Sequence, residues 1–187
     1  VRAAARPGFH YYQIMVDGFA CNDPASRTFF GWAQESSGLE VPDPELDFYS
    51  LKDVPHGDVR ICSYASKVTA GPRRPFVYTP PGYDQEPQRR YPVLYLQHGA
   101  GESERAWTEQ GKANLSLDNL IAAKRAEPML VVMENGYATN ADQSAGGGRG
   151  QVDQFSDLVV TDLVPFIDGK FRTLADRKHR AIAGLSM

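Results

Sequence analysis

Gly184-Leu185-Ser186-Met187 continues without a gap from the apolar run RAIAG at residues 180–184. A G-x-S segment at the end of a buried strand is the front of the pattern G-x-S-x-G. Small residues two before and two after the serine let a strand turn sharply into a helix, and the serine Oγ is then held exposed at the carboxyl end of a sheet. Such a hydroxyl can attack an acyl carbon if a base takes its proton. Ser186 is therefore the candidate nucleophile, and the last glycine of the pattern would be residue 188.

A second group sits at His98-Gly99-Ala100-Gly101, after the apolar run YPVLYLQ. An H-G turn at a strand end leaves backbone N–H groups pointing over the site. Together with the amide of the residue after the nucleophile, they would bind the oxyanion of a tetrahedral intermediate. The donors expected on this pattern are the amides of Ala100 and Met187. The alternative is that the glycines only make a tight turn.

In folds built on this pattern the triad runs Ser, then Asp or Glu, then His. All four histidines (His10, His56, His98 and His179) precede Ser186, so the acid and the base are expected after residue 187. His98 suits a structural or oxyanion-loop role, and His179 a turn or the surface. Trp107 follows the H-G turn and is a candidate for lining the substrate pocket, with core packing as the alternative. Asn135 lies just past another apolar run, at the strand edge where ligands of open α/β sheets bind; it either touches substrate or caps its loop. SAGGGRG (144–150) lacks the Lys-Ser/Thr of a phosphate loop and reads as a loop near the site that could gate it. Tyr11, Tyr12 and Trp32 could stack on sugars, but packing within the core of a half β-sandwich is the better account of them.

The elements that would place these groups follow from periodicity. HYYQIMV, the turn pair Asp17-Gly18 and Phe19–Cys21 read as a hairpin. VPDPELD, with Pro42 and Pro44, reads as a stiff linker. Asp58–Tyr64 and Arg74–Pro80 predict an antiparallel opening pair, and Tyr91–Gln97 a strand buried on both faces. Ala113, Leu117, Leu120 and Ile121 recur at helical spacing, and Met129–Glu134 is a second buried strand. Phe155, Leu158, Val159, Leu163, Phe166 and Ile167 form a helix face that Pro165 should bend or break. Strand, helix, strand, helix, strand predicts an α/β fold with a parallel sheet.

Composition narrows the class. The 187 residues are 42% hydrophobic and 23% charged, which suits a folded core, and the net charge of −3 offers nothing to nucleic acid or anionic membrane. No apolar run reaches the roughly 18 residues of a membrane span. Cys21 and Cys62 have no metal-site spacing, so a zinc site is not expected, and acyl-enzyme chemistry on Ser186 needs no metal or organic cofactor. VRAAARPGF has no initiator Met and AIAGLSM stops in an apolar run, which predicts an internal fragment. Such a fragment, without base or acid, should have no useful activity.

The stretches DVPHGDVR, YTPPGYD, YPVLYLQHGAGESERAW, GKANLSLDNLIA and DRKHRAIAGLSM resemble, in order, the esterase D-like group, and especially the feruloyl and acetyl-xylan esterases of carbohydrate esterase family 1. PGFHYYQIMVDG with DPAS resembles the end of the early-set, carbohydrate-binding-like β-sandwich module that precedes many of them. The resemblance implies an α/β-hydrolase fold, incomplete here and mostly parallel, over residues 43–187. The end of the sandwich module would occupy residues 1–42. It also implies a secreted or periplasmic serine carboxylesterase acting on ester-substituted polysaccharide or oligosaccharide. Rival readings are an enterochelin-type siderophore esterase, a related acyltransferase, and, from another class, a non-catalytic carbohydrate-binding protein.

Overall fold

Short β-rich runs punctuated by turn residues make the first part of the chain a set of hairpins. The computed structural model describes residues 6–43, 45–138 and 154–186. The first five strands are β1 (Gly8–Tyr12), β2 (Ile14–Val16), β3 (Phe19–Cys21), β4 (Thr28–Gly31) and β5 (Gln34–Val41). β2 and β3 form the hairpin expected at Asp17-Gly18. Both turn residues have positive φ (49° and 85°), the geometry that matches strand twist in a two-residue loop. β1, β5 and β4 make a separate antiparallel sheet in that order. Its β4–β5 turn, Trp32-Ala33, also has positive φ at both residues (54° and 60°), although neither is glycine.

The larger layer follows. β6 (Asp58–Ile61) pairs antiparallel with β9 (Phe76–Thr79), the expected opening pair. Between them β7 (Tyr64–Ser66) and β8 (Gly71–Arg73) fold into a small hairpin of their own. Next come β10 (Val93–Gln97), α1 (Ala106–Glu109), α2 (Ala113–Ala122) and β11 (Leu130–Met133). A π-helical segment, Leu158–Leu163, runs into α3 (Val164–Lys170), and β12 (Arg180–Gly184) ends the series.

The sheet order is β12-β10-β11-β9-β6. β10 runs parallel to both neighbours, whereas β9 is antiparallel to β11, so the expectation of a mostly parallel sheet becomes a mixed one with parallel pairing at β12, β10 and β11. From β10 the chain steps one way to β11, then back across to β12. Right-handed crossovers in opposite directions require helices on opposite faces. They are found there. Leu163, Ile167 and Phe171 pack on Val77, Val93, Tyr95, Leu130 and Val132 of one face, while Trp107 and Leu117 pack on Phe76, Tyr78, Val131 and Met133 of the other.

Pro165 neither bends the chain out of helical conformation nor breaks it. It lies within the first two residues of α3, and the preceding turns are widened to π geometry, with the Val164 amide donating to the Val159 carbonyl. Wider hydrogen-bond spacing ahead of a residue that lacks an N–H keeps the backbone helical through the proline.

Candidate active site

Three strands of the parallel group end at one edge, and each hands a loop to the same place. β10 leads into His98–Gly101, β11 into Glu134–Tyr137, and β12 into Leu185-Ser186. This is the edge where open α/β sheets bind ligands, next to the point where the strand order reverses.

Ser186 is exposed and has φ of 48°. A non-glycine residue in that region is strained, and a sharp strand-to-helix turn forces such strain on a serine at its apex. The strand before it is packed tightly. A Cβ on Gly184 would lie 3.1 Å from the Gln97 Cβ and 3.2 Å from the Gln97 carbonyl on the paired strand β10. The H-G turn lies against the elbow: the Ala100 amide donates to the Ser186 carbonyl at 2.9 Å. The Gly99 amide donates to Glu102 Oε2 at 3.0 Å, and the Gly101 amide to the Tyr137 hydroxyl at 2.5 Å. Ala100, the residue expected to give an oxyanion donor, thus lies beside Ser186, and its N–H is directed at the serine's own carbonyl. Met187 and residues 144–150 lie outside the described residues.

His98 is buried and structural. Nε2 accepts from the Gly136 amide at 3.0 Å, which puts the ring proton on Nδ1, and that proton goes to the Gly99 carbonyl at 2.8 Å. Burial pushes its pKa below the ordinary imidazole value, so the neutral tautomer is the one that clamps two loops together.

The loop after β11 is held by a buried ion pair that the sequence reading missed. Arg73 lies 3.0 Å from Glu134 Oε1 and also donates to the carbonyls of Asn135 and Tyr137. Tyr64 OH donates to the other oxygen of Glu134 at 3.0 Å, and the Asn135 amide caps Oε1 at 2.8 Å. Burial raises the Glu134 pKa, opposed first by the Arg73 charge.

Asn135 is spent on its own loop, accepting from the Tyr137 amide and donating to Glu104, each at 3.0 Å. Trp107 is half-buried with its ring in the core cluster and its indole N–H on the Gln97 carbonyl at 2.9 Å. Packing is the role its contacts describe. Trp32 is 72% exposed, its ring tilted on Tyr11 at 5.5 Å, while Tyr11 and Tyr12 hydrogen-bond to Gln110 and Asp23. The Trp32-Ala33 turn reaches the site, because the Ala33 amide donates to the Gly101 carbonyl at 2.8 Å. Among the described residues no group of three or more His, Cys, Asp or Glu could hold a metal ion.

Ser186, the turn after β10 and the loop after β11 thus meet at the carboxyl edge of the parallel strands, where open α/β folds bind their ligands. The chain belongs to the family described as "Putative esterase", which it matches over residues 66–187. It is 43% identical over 185 residues to an endo-1,4-beta-xylanase/feruloyl esterase of Xylanibacter ruminicola, covering 97% of this chain and 25% of the relative. The chain therefore spans about a quarter of the length of that curated relative. A ferulic acid esterase of carbohydrate esterase family 1 from Anaeromyces mucronatus, solved with ferulic acid, superposes with a TM-score of 0.68 at 25% identity, over 79% of this chain and 54% of that one. The enterochelin esterase of Shigella flexneri, at 16% identity and a TM-score of 0.59 over 88% of this chain and 40% of that one, shares the fold.

Proposed function

We propose that this esterase uses Ser186 as a nucleophile and removes feruloyl or acetyl groups from plant polysaccharide through an acyl-enzyme. The observation that carries the reading is the positive φ of Ser186 at the end of β12, 2.9 Å by its carbonyl from the Ala100 amide. A strained backbone at an exposed serine on a ligand-binding edge is what a presented nucleophile calls for. The feruloyl choice is supported by the Xylanibacter relative and by the structural likeness to a ferulic acid esterase.

In the proposed cycle Ser186 Oγ attacks the ester carbonyl as a histidine from sequence after residue 187 takes its proton, and an acidic residue holds that histidine. The alcohol leaves, and water releases the acid. Amides of Ala100 and Met187 face the carbonyl oxygen, which requires the Ala100 N–H to exchange the Ser186 carbonyl for the substrate. Residues 1–42 are read as the end of a β-sandwich module and 43–187 as the front of the esterase domain. On this reading the protein works outside the cytoplasm, on ester-substituted polysaccharide or oligosaccharide, and residues 1–187 alone are inactive.

The test uses the full-length gene product containing residues 1–187, assayed on methyl ferulate, acetylated xylan and a cyclic catecholate ester, beside Ser186→Ala. Serine-dependent release of ferulate or acetate is the expected result. Release from the catecholate ester alone would move the substrate to siderophores. Undiminished hydrolysis by Ser186→Ala would end the nucleophile assignment.

A further inference from the structure

Every backbone amide of the Gly99–Gly101 turn has an acceptor: Glu102, the Ser186 carbonyl and the Tyr137 hydroxyl. The third of these bonds fixes its own direction. An amide can only donate, so the Tyr137 oxygen accepts, and the phenolic proton must point elsewhere. Among the described residues no acceptor for that proton is found, and the side chain is 37% exposed. The hydroxyl sits 2.5 Å from the amide next in sequence to that of Ala100. Among the described residues this donor has no partner, and it is held beside the Ala100 amide expected of the oxyanion turn.

We propose that Tyr137 is a catalytic residue, its hydroxyl donating a hydrogen bond to the ester carbonyl oxygen as negative charge builds there; this rests on the serine-esterase reading above. Tyr137 keeps its proton throughout, so no bond to it is made or broken.

The surroundings suit a donor that must not move. Arg73 binds the Tyr137 carbonyl at 2.9 Å, Asn135 Oδ1 takes the Tyr137 amide at 3.0 Å, and the neighbouring Gly136 amide is anchored on buried His98. The ring lies 5.8 Å from the His98 ring. A donor fixed before substrate arrives costs little reorganisation when charge develops, and this is what makes oxyanion contacts effective. A phenol also offsets the engagement of the turn's amides with protein acceptors.

The experiment compares wild type, Tyr137→Phe and Ser186→Ala of the full-length gene product on methyl ferulate. Tyr137→Phe should lower kcat by on the order of 100-fold, while KM stays within about threefold. As a second measurement, 3,5-difluorotyrosine at position 137 makes the phenol more acidic. It should bring in an alkaline loss of kcat at lower pH than in wild type, because the phenolate cannot donate. A purely structural acceptor for Gly101 would predict the reverse or no change. If Tyr137→Phe fails to fold, the difluorotyrosine profile decides alone. Ser186→Ala without activity, beside Tyr137→Phe with kcat within about threefold of wild type, overturns the Tyr137 assignment and leaves the nucleophile standing. Full activity in Ser186→Ala overturns both.

Discussion

The Gly136 amide donates to His98 Nε2 at 3.0 Å, joining the loop after β11 to the turn after β10 through one buried ring. The bond exists only while Nε2 carries no proton. On the far side of the ring Nδ1–H holds the Gly99 carbonyl at 2.8 Å, so one neutral imidazole sets the spacing of two loops that border Ser186. Protonation would turn an acceptor into a donor facing an N–H. The geometry of this site is therefore tied to a charge state.

Two histidines should shape the pH dependence of stability with opposite signs. Burial lowers the His98 pKa, so its contribution is full above the unfolded value of 6.5 and is lost as pH falls below it. Asp118, 2.9 Å from His56 Nδ1, raises the His56 pKa; that contribution is full below 6.5 and is lost as pH rises through the folded value. Thermal unfolding across pH 4–9 should show a maximum near the ordinary imidazole value, about pH 6–7. His56→Gln should remove the decline on the alkaline side and His98→Gln the decline on the acid side. A curve that is unchanged in either variant would refute that assignment.

Arg73→Met should be among the most destabilising single changes, by about 3–5 kcal/mol, because it strands the Glu134 carboxylate in a buried site. Glu134→Gln should cost less, since burial already favours the neutral form and Gln can still accept from Tyr64. Denaturant unfolding of both variants checks the order. Equal losses would mean that Arg73 acts mainly through the carbonyls of Asn135 and Tyr137.

The pieces legible in the sequence were those with strong local signals. Continuous apolar runs marked β10 and β11, Asp17-Gly18 marked a hairpin, and G-x-S after a strand marked the left-handed backbone at Ser186. β7 and β8 escaped because YAS and GPR carry neither alternation nor β-branched residues, and Pro72 argues against a strand except at an edge. Polar QESSGLEV in β5 is a strand through its two partners rather than its propensity. Nothing local announces that Arg73, 61 residues before Glu134 (134 − 73), will neutralise it, or that Tyr137 will meet Gly101. Such contacts are set when β9 and β11 pair and the β10 turn is brought alongside.

Trp107→Phe separates the ring from its N–H. The aromatic ring can still pack on Phe76 and Met133, so the loss should be limited to the hydrogen bond on the Gln97 carbonyl, about 1 kcal/mol, with little change in KM. A KM rise with unchanged stability would instead restore Trp107 to the substrate pocket. Thermal unfolding together with steady-state kinetics on the full-length gene product makes the distinction.

Gly101→Ala tests whether the first sheet is fastened to the active-site turn. Gly101 has φ of 79°, where a side chain is strained, and a Cβ there would lie 3.1 Å from the Ala33 amide nitrogen and 3.2 Å from the Trp32 Cα. Both neighbours are backbone at the tip of the β4–β5 hairpin, itself held in two left-handed residues, so neither can give way cheaply. The Ala33–Gly101 hydrogen bond should open and the hairpin withdraw, with a stability loss of about 1–3 kcal/mol from the strained backbone and the broken contact. Arg105–Glu35 at 2.6 Å and Gln110–Tyr11 at 2.7 Å bridge the same two layers farther along and should keep the sheet docked. Hydrogen exchange should therefore quicken at Ala33 alone in this seam, with the β1 and β5 amides still protected. Loss of protection across all of β1 and β5 would show that Gly101 is the main fastening between the layers.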